Sequence, residues 1–518
     1  MLLILPFLLL GSLNILFTWL LLQFFAYYMR TKNAAKRQAV LQHLGIPPTE
    51  SRKIVGFFHP YCNAGGGGER VLWTAIASMQ RNEPEIISTV YSGDTDAKKM
   101  QILDKVKARF DVELDPSKVH FVFLQSRKWV EDSHWPYFTL LGQSLGSIFL
   151  AFEAMMLLIP DLYIDTMGYA FTYYVVSYLG RIPIGAYVHY PTISTDMLAR
   201  VRSRKSWHTN TSAISSSAFL SKLKLLYYRI FMYYYAASLH TASFLMVNSS
   251  WTKNHIDSIL QYHDILLDTL HLSPPFVITN LLTGVVYPRK GKPPTSARIV
   301  YPPCDTREMS SFDLTGRQQV ILSVAQFRPE KDHPGQLQAF AQLLSRFPKH
   351  AGKGGTKAPV KLVLIGGSRN EEDAQRVTSL RRLAKESGVE EHTEFIVNAP
   401  YPVVLDWLSK ASIGLSTMVD EHFGINVVEF MAAGVIPIAH ASGGPLKDIV
   451  IPFNGKPTGY HAKTTEEFAE ALDEVLSLPL EEQLALRQRA RTWAVQRFSE
   501  EEFQKGWNAS GWKDWLAG

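Results

Sequence analysis

The 518-residue sequence has only two cysteines, Cys62 and Cys304, and they lie far apart in the chain. This scarcity excludes a disulfide framework and a clustered cysteine metal site, and it suits a reducing compartment. Charge is also sparse, because 19% of the residues are charged and the net charge is only +6. So weak a balance argues against general nucleic-acid binding. Since 46% of the residues are hydrophobic and the chain is too long for one ordinary domain, we expect two domains.

The first 29 residues contain no charged side chain. An apolar run of this length exceeds the roughly 20 residues that a helix needs to cross a bilayer, so residues 1–29 are predicted to be a transmembrane anchor. A cleaved signal peptide is the alternative, but neither a basic start nor a small-residue cleavage site is evident. Four basic residues follow the run: Arg30, Lys32, Lys36 and Arg37. Because basic flanks stay cytoplasmic and no acidic residue precedes Glu50, we expect a single-pass protein whose body faces the cytosol.

The order of apolar runs indicates two α/β domains. From Ile54 onward, short apolar runs alternate with longer amphipathic stretches, which is typical of βα units in a parallel sheet. A Tyr-Pro-Pro break at residues 301–303 interrupts the alternation, which then restarts. The sequence therefore predicts two doubly wound, Rossmann-like domains at residues 51–305 and 306–490, and a C-terminal helix within residues 491–518 that packs back on the first domain.

In the first domain, strands are predicted at residues 53–58 and 245–248, and a further strand is predicted to end at residues 187–189. In the second domain, strands are predicted at residues 320–324, 361–365, 394–397, 413–416 and 436–439.

Two further stretches suggest contact with a membrane. Residues 138–160 carry a single charge, Glu153, but their polar residues favour a buried or interfacial helix over a second span. Five basic residues then precede an aromatic run at residues 231–235, with no acid among them: Arg202, Arg204, Lys205, Lys222 and Lys224. Basic residues beside aromatics predict a surface that rests on anionic headgroups, and a solvated loop before a core helix is the alternative.

A run of four glycines, Gly65 to Gly68, follows the first predicted strand and precedes a helix predicted from Glu69. Glycines let the backbone approach a bulky anion, and a helix start offers unpaired N–H groups. The spacing matches neither the dinucleotide fingerprint nor the P-loop, because Gly-Lys-Ser/Thr is absent. Gly66 and Gly67 are therefore candidate phosphate ligands, although a glycine loop can equally be a flexible turn.

In the second domain, Glu421 and Glu429 stand eight positions apart across a predicted helix start, with Gly424 between them. Both carboxylates can face one cleft, which suits the hydroxyls of a sugar. A lone glutamate at a helix start would have the simpler role of stabilising the helix dipole. The last predicted strand leads to Gly443 and Gly444, whose backbone is a second candidate for binding phosphate.

These residues together resemble the retaining glycosyltransferases with two Rossmann-like domains, which include glycogen synthase and the phosphatidylinositol mannosyltransferases. The family's two glutamates, with seven residues between them, are matched by Glu421 and Glu429, and Pro437 follows at the expected distance. The string FFHPYCNAGGGGERVLW at residues 57–73 is similar to the eukaryotic α-1,2-mannosyltransferases that extend trimannosyl-chitobiosyl diphosphodolichol. The resemblance covers residues 54–498.

This resemblance implies a glycosyltransferase B fold, in which the two domains face a cleft. It implies GDP-mannose as the nucleotide-sugar donor, a dolichol-diphosphate-linked oligosaccharide as the acceptor, and the cytosolic face of the endoplasmic reticulum membrane as the location. It also implies association with other mannosyltransferases of the pathway, and neither a metal nor another cofactor. The chemistry would be a front-face displacement in which the leaving diphosphate helps to deprotonate the acceptor.

The resemblance also assigns roles to single residues. Lys331 would bind the donor diphosphate, and Arg328 would supply a second cation because Gln326 stands where the family has arginine. Glu429 would hold the ribose hydroxyls and Glu421 the hydroxyls of the transferred mannose.

His189, at a predicted strand end, matches a family histidine near the transferred sugar, although a structural role is the alternative there. Asp94-Thr95-Asp96 is spelled like a metal-binding motif of other glycosyltransferases, but it lies outside the expected donor site and is predicted to be a turn. Another lipid-acceptor glycosyltransferase or, less favoured, a sugar-nucleotide epimerase remains as the alternative function.

Overall fold

The computed structural model describes residues 4–193, 197, 218–269, 294–352 and 358–516. The chain forms two compact units. Unit 1 comprises Met1–Val247, Thr252–Val300 and Trp507–Gly518. Unit 2 comprises Asn248–Trp251 and Tyr301–Gly506.

Unit 1 contains a seven-stranded parallel sheet with the strand order β3-β2-β1-β4-β5-β6-β7. Its strands are β1 Ile54–Phe58, β2 Ile87–Ser92, β3 Val119–Phe123, β4 Leu162–Asp165, β5 Ile184–Val188, β6 Phe244–Val247 and β7 Arg298–Ile299. Strands β1, β2, β4, β5 and β6 are buried along their whole length. Burial on both faces explains why β1, β5 and β6 appear in the sequence as apolar runs, whereas β2 carries the buried polar residues Ser88, Thr89 and Ser92.

Among the described residues, the α-helices that lie wholly or mostly in unit 1 are α1 Ile4–His43, α2 Gly67–Asn82, α3 Lys99–Phe110, α4 Thr139–Leu157, α5 Thr172–Val175, α6 Ala218–Leu239, α7 Ser250–Leu260 and α8 Ile265–Thr269. The first residues of α7, Ser250 and Trp251, belong to unit 2.

Helix α1 continues well beyond the apolar run, and its second half docks on unit 1. Met29 is buried in the unit 1 core. The Arg30 guanidinium donates to the Leu179 carbonyl at 3.0 Å, and the Arg37 guanidinium pairs with Asp161 at 2.8 Å. The basic residues that favour a cytosolic body therefore also hold α1 against unit 1.

Helix α4 is, among the described residues, the helix whose length and composition would allow a membrane crossing, and 44% of the apolar stretch is buried inside the protein. Its opposite face is exposed, with Phe149 64% exposed. The carboxylate of Glu153 accepts the backbone N–H groups of Gln125 and Ser126 at 2.7 and 3.0 Å. The buried face of α4 packs in the unit 1 core through Leu150, Ala151 and Ala154, while Glu153, one turn after Phe149, adds a polar attachment beside the exposed face.

Unit 2 contains a six-stranded parallel sheet with the strand order β10-β9-β8-β11-β12-β13. Its strands are β8 Val320–Val324, β9 Lys361–Gly366, β10 Thr393–Val397, β11 Ile413–Ser416, β12 Ile436–His440 and β13 Tyr460–Ala462. Its helices are α9 Arg307–Ser310, α10 His333–Arg346, α11 Glu371–Glu386, α12 Tyr401–Lys410, α13 Ile425–Ala433, α14 Thr465–Ser477, α15 Leu480–Phe498 and α16 Glu500–Asn508.

The predicted α/β class and the two doubly wound, Rossmann-like sheets are confirmed. The unit boundaries differ from those predicted, because Tyr301 packs on Phe423 and Phe498 of unit 2. Helix α15 contributes Ala490, Ala494 and Phe498 to a unit 2 core. The chain therefore returns to unit 1 only at Trp507, whose buried ring stacks on Phe57 of β1.

Candidate active site

In unit 2, Lys331 and Glu421 meet at the point where the strand order reverses. Lys331 ends a short helical turn after β8, and Glu421 lies in the loop after β11, the neighbouring strand. In doubly wound sheets, ligands bind beyond the carboxyl ends of the strands at this switch point. The Lys331 ammonium lies 2.5 Å from the Glu421 carboxylate, and the two side chains are 23% and 12% exposed. The structure thus brings two predicted site residues into one reachable ion pair.

The loop that carries Lys331 is held by its neighbours. Asp332 has a left-handed backbone (φ 49°) and its carboxylate accepts the Gly335 N–H at the start of α10. The Thr417 hydroxyl lies 3.2 Å from the carbonyls of Lys331 and of Asp332. The Lys331 ammonium also contacts Met418 Sδ at 3.1 Å. These contacts fix the backbone from which Lys331 extends.

Glu429 lies on α13, which begins after Gly424. Gly424 has φ +111°, a backbone that side chains rarely adopt. Asn426, in the first turn of α13, donates to the Val324 carbonyl at the end of β8 at 3.2 Å. Glu429 is half-buried. The helix start predicted between the two glutamates is confirmed.

Gly443 and Gly444 pack directly on the loop that carries Glu421. The Gly444 N–H donates to the Glu421 carbonyl at 2.7 Å. A Cβ atom on Gly443 would lie 2.2 Å from the same carbonyl oxygen, and one on Gly444 would lie 2.4 Å from the Phe423 carbonyl oxygen. Close backbone contact therefore requires both glycines, and the Gly444 N–H is already used within the protein. Their phosphate contact stays a prediction.

Arg328 is half-buried beside the same turn, and its ion-pair partner is Glu330 at 3.8 Å rather than Glu421. Burial lowers the pKa of Arg328, and the nearby positive charge of Arg369 lowers it further. The turn thus carries a second cation with a different ion-pair partner, and its contact with the donor diphosphate stays a prediction.

Unit 1 has its own polar cluster at its switch point, between β1 and β4. His59 follows β1 and is fully buried, with Nδ1 2.8 Å from Thr166 Oγ1 and Nε2 3.2 Å from Glu69 Oε1. His189 follows β5, and its Nε2 lies 3.1 Å from the Thr166 carbonyl oxygen. Adjacent parallel strands thus place His59, Thr166 and His189 together.

The glycine loop joins this cluster through Glu69. Gly66 precedes the first residue of α2, and its N–H donates to the Glu69 carboxylate. Burial pushes the pKa of Glu69 upward, but the hydrogen bond and charge of His59 and the Gly66 N–H outweigh it, so the pKa is lower than usual. A Cβ atom on Gly68 would lie 3.5 Å from His189 Nε2. The loop therefore packs beside His189, with the Gly66 N–H already occupied.

Sequence reasoning missed Glu69 and Thr166. Glu69 stands at the third helical position after Gly66, where a carboxylate accepts the backbone N–H of the residue that precedes the helix. That spacing was the signal available in the sequence. Gly67 is the first residue of α2, and its contact with the donor substrate stays a prediction.

Asp94 of the Asp-Thr-Asp sequence is buried and structural. Its carboxylate accepts the Asn63 N–H at 2.9 Å and pairs with Arg127 at 2.5 Å. Among the described residues, no group of three or more His, Cys, Asp or Glu side chains is arranged to hold a metal ion.

The predicted membrane-facing basic residues fall partly outside the structure. Arg202, Arg204 and Lys205 lie outside the described residues. Lys222 is exposed on α6, and the Lys224 ammonium lies 5.5 Å from the centroid of the Tyr228 ring. Burial lowers the pKa of Lys224. Lys224 thus lies beside an aromatic side chain, and the contact of both lysines with lipid stays a prediction.

Comparison with known proteins covers both units. The family model "ALG11 mannosyltransferase N-terminus" matches residues 52–260, and "Glycosyl transferases group 1" matches residues 305–493. The structure is similar to the solved structure of sucrose-phosphate synthase from Thermosynechococcus elongatus, with a TM-score of 0.55 and 16% sequence identity. The match covers 90% of this chain and 100% of that chain. At such low identity, the likeness concerns the fold, and it agrees with two Rossmann-like domains.

Two relatives are far more similar in sequence. The chain is 45% identical over 459 residues to the human GDP-Man:Man(3)GlcNAc(2)-PP-Dol alpha-1,2-mannosyltransferase, covering 88% of this chain and 86% of the human protein. It is 43% identical over 464 residues to the protein of the same name from Neurospora crassa, covering 88% of this chain and 78% of the fungal protein. The chain therefore belongs to the family of GDP-Man:Man(3)GlcNAc(2)-PP-Dol alpha-1,2-mannosyltransferases and is a glycosyltransferase.

Proposed function

We propose that this enzyme transfers mannose from GDP-mannose to trimannosyl-chitobiosyl diphosphodolichol, in α-1,2 linkage and with retention of the anomeric configuration, and that it makes two successive additions. Family membership across both units supports the reaction. The structural observation that carries the proposal is the Lys331–Glu421 ion pair at the switch point of unit 2, because a cation suited to a diphosphate and a carboxylate suited to sugar hydroxyls lie side by side there.

In this proposal unit 2 binds the donor. Lys331 contacts the diphosphate, for which a point charge on a flexible stem is suited, and Arg328 supplies a second positive charge. Glu421 accepts hydrogen bonds from the mannose hydroxyls and Glu429 from the ribose hydroxyls. Carboxylates suit these roles because they accept hydrogen bonds at both oxygens.

The proposed chemistry is a front-face displacement. The bond between the anomeric carbon and the diphosphate oxygen breaks, the acceptor oxygen bonds to that carbon on the same face, and the leaving diphosphate takes up the hydroxyl proton. Lys331 stabilises the negative charge that develops on the leaving group, and the remaining residues position the reactants. In unit 1, His189 is assigned to the transferred mannose.

A transfer assay tests the reaction. The purified full-length protein is given labelled GDP-mannose and the dolichol-linked acceptor, and the products are sized and treated with an α-1,2-specific mannosidase. We expect products with one and two added mannoses that the mannosidase removes. An epimerase would instead convert GDP-mannose without acceptor. Equal transfer from UDP-glucose would favour the other lipid-acceptor glycosyltransferase.

The proposed reaction runs without a divalent metal, with cationic side chains neutralising the diphosphate. Transfer should continue at an unchanged rate after treatment with EDTA. A complete loss that added Mg²⁺ or Mn²⁺ restores would contradict this part of the proposal.

We further propose that the enzyme associates with the endoplasmic reticulum membrane, with residues 1–29 as the span, a lumenal N-terminus, a cytosolic body, and other mannosyltransferases of the pathway as partners. The dolichol-linked acceptor named for the relatives supports membrane association. Protease added to intact microsomes should digest the body, and a protected body would contradict this topology.

The sequence contains Asn-X-Ser/Thr sequons for N-glycosylation at Asn210, Asn248 and Asn508, and a glycan on an accessible one would report a lumenal body. Asn248 and Ser249 are buried, and the Ser250 hydroxyl donates to Asp448 at 2.5 Å. A glycan on Asn248 is therefore incompatible with folded unit 2 in either topology. Asn508 is half-buried, and Asn210 lies outside the described residues. An added sequon on the exposed part of a loop is the better reporter.

A further inference from the structure

We propose that Asp448 is a positioning residue for the donor site, because its carboxylate locks the loop after Gly443-Gly444 to two other segments of unit 2. The proposal rests on the proposed function, since it takes the Lys331–Glu421 site as the site of GDP-mannose.

Asp448 lies in a helical turn, Pro445–Ile449, that begins directly after Gly444, and it is 3% exposed. Its Oδ2 accepts the Ser250 N–H at 2.9 Å. Its Oδ1 accepts the hydroxyls of Ser250 and Tyr301 at 2.5 and 2.9 Å. Three donors thus satisfy one buried carboxylate, as a buried charge requires.

The Tyr301 hydroxyl and the Ser250 N–H are both available to donate hydrogen bonds to Asp448. Burial raises the pKa of Tyr301, and the negative charge of Asp448 raises it further, so the Tyr301 hydroxyl stays protonated and donates. The Ser250 N–H is in the first turn of α7, where backbone N–H groups have no partner within the helix. The carboxylate therefore also caps α7.

The same two segments contact the loop that carries Glu421. The Trp251 ring stacks on His422 with centroids 5.3 Å apart, and the Tyr301 ring lies 5.9 Å from that of Phe423. His422 and Phe423 directly follow Glu421 in the chain. Residues 250–251 and Tyr301 thus bear on both loops of the candidate donor site.

The two loops are in turn joined to each other. Besides the bond from Gly444 to the Glu421 carbonyl, the Asp420 N–H donates to Ser442 Oγ at 2.7 Å. A shift of the turn that contains Asp448 would therefore move the backbone of Glu421. Since transfer depends on placement within a fraction of an ångström, such a shift lowers turnover even when the unit remains folded.

The path of the chain supports a dedicated role for this contact. Asn248–Trp251 belongs to unit 2, although the residues on both sides of it belong to unit 1. Within this segment, Ser250 bonds to Asp448 and Trp251 stacks beside Glu421. Asp448 is thus the hydrogen-bond acceptor that holds the segment Asn248–Trp251 against the two loops of the candidate donor site.

The test uses the purified full-length enzyme with Asp448→Ala, Asp448→Asn, Ser250→Ala and Tyr301→Phe. For each variant, the kcat, the KM for GDP-mannose, the KM for the lipid acceptor, the Kd of GDP and the thermal unfolding midpoint are measured. Asp406→Asn is the matched control, because Asp406 is exposed and pairs with Lys410 on α12, away from these loops.

Removal of a charged hydrogen-bond acceptor predicts a rise of about 10- to 100-fold in the KM for GDP-mannose for Asp448→Ala, and less for Asp448→Asn, which retains one acceptor oxygen. Ser250→Ala and Tyr301→Phe should each raise it about 3- to 10-fold. The KM for the lipid acceptor and all constants of Asp406→Asn should stay at the wild-type values.

Non-additivity separates positioning from general stability. Because Ser250 and Tyr301 act through one carboxylate, adding Ser250→Ala or Tyr301→Phe to Asp448→Ala should cause no further rise in the KM for GDP-mannose. If Asp448→Ala does not fold, the same double-mutant comparison is made by combining Ser250→Ala or Tyr301→Phe with Asp448→Asn.

Two failures are distinguishable. If the wild-type enzyme transfers no mannose, the proposed function is wrong. If the wild-type enzyme does transfer mannose, while folded Asp448→Asn and Asp448→Ala keep its GDP affinity, kcat and KM for GDP-mannose and lose only thermal stability, then Asp448 is structural and this inference is overturned.

Discussion

The two units place charged side chains at equivalent points of their sheets but treat them differently. In unit 1, His59 is fully buried and both its ring nitrogens lie within 3.2 Å of Glu69 or Thr166. In unit 2, Lys331 is 23% exposed, and its partners are Glu421 and the weak acceptor Met418 Sδ.

From this difference we infer that the unit 1 cluster is a scaffold and that the unit 2 pair is the candidate binding site. In the His59–Glu69 pair, the polar side-chain atoms already have partners and the histidine has no exposed surface, so the pair cannot bind a ligand. Removing either side chain leaves a buried polar group without its partner. A lysine that retains a donor and reaches solvent can bind an anion. We therefore expect changes in the Lys331–Glu421 pair to affect activity, and changes in the His59–Glu69 pair to affect stability.

The largest effect is expected for Lys331→Ala. Loss of leaving-group stabilisation should lower the kcat by about 100- to 1,000-fold at saturating donor, with little change in the thermal midpoint. The measurement is transfer at saturating GDP-mannose beside thermal unfolding. Lys361→Ala, on an exposed residue at the start of β9, is the control. A change confined to the acceptor KM would place Lys331 elsewhere.

Glu69→Ala should show the opposite pattern. It leaves His59 Nε2 without its acceptor in a buried site, which should cost about 3 kcal/mol of unfolding free energy, whereas the N–H of the exposed Gly66 can bond to water instead. Chemical denaturation measures it. Glu113→Ala, which removes an exposed partner of Lys107, should leave stability unchanged. Equal stabilities for the two variants would show that the buried pair is not a scaffold.

Glu429→Ala should lose the proposed ribose contacts, weaken GDP binding and lower turnover, each by about 10- to 100-fold, without unfolding unit 2. Isothermal titration with GDP and the transfer assay measure the two effects. Near-normal transfer by the folded variant would remove Glu429 from the donor site.

The smallest effect concerns pH. Burial, followed by the charges of Lys331 and Arg376, lowers the pKa of His333 to about 4. The unfolded chain therefore binds a proton that the folded protein does not, between the ordinary histidine pKa and about 4, so stability falls as pH is lowered through this range. Between pH 7 and 5.5, His333 should cost about 1 kcal/mol.

His333→Phe should remove that share of the pH dependence, as measured by denaturation at the two pH values. His120 of unit 1, whose pKa burial also lowers to about 4, keeps its own share in the variant. Identical pH profiles for the variant and the wild-type protein would contradict a buried neutral His333.

Much of the fold was predictable because its signals are local. The strands at residues 320–324 and 413–416 are confirmed with the same bounds, since strands buried on both faces are mostly apolar and stand out from the amphipathic helices around them. The helix start before Glu429 was equally local, because Gly424 needs a backbone that side chains disfavour. Boundaries between units depend on packing and were less accurate, as the late return of the chain at Trp507 shows.

The sequence by itself determined the fold class and the family, and it indicated Lys331, Glu421 and His189 as candidate residues, because short apolar runs and glycine turns mark where strands end. Only the tertiary structure decided how they are paired. Lys331 and Glu421 are 90 positions apart, and Ser250 and Asp448 are 198 apart, yet each pair is in hydrogen-bond contact. Glu69 and Asp448 look like ordinary helix-start acids in the sequence. Burial and the partners that folding brings to them separate a scaffold carboxylate from one that holds a site, and no local pattern contains that information.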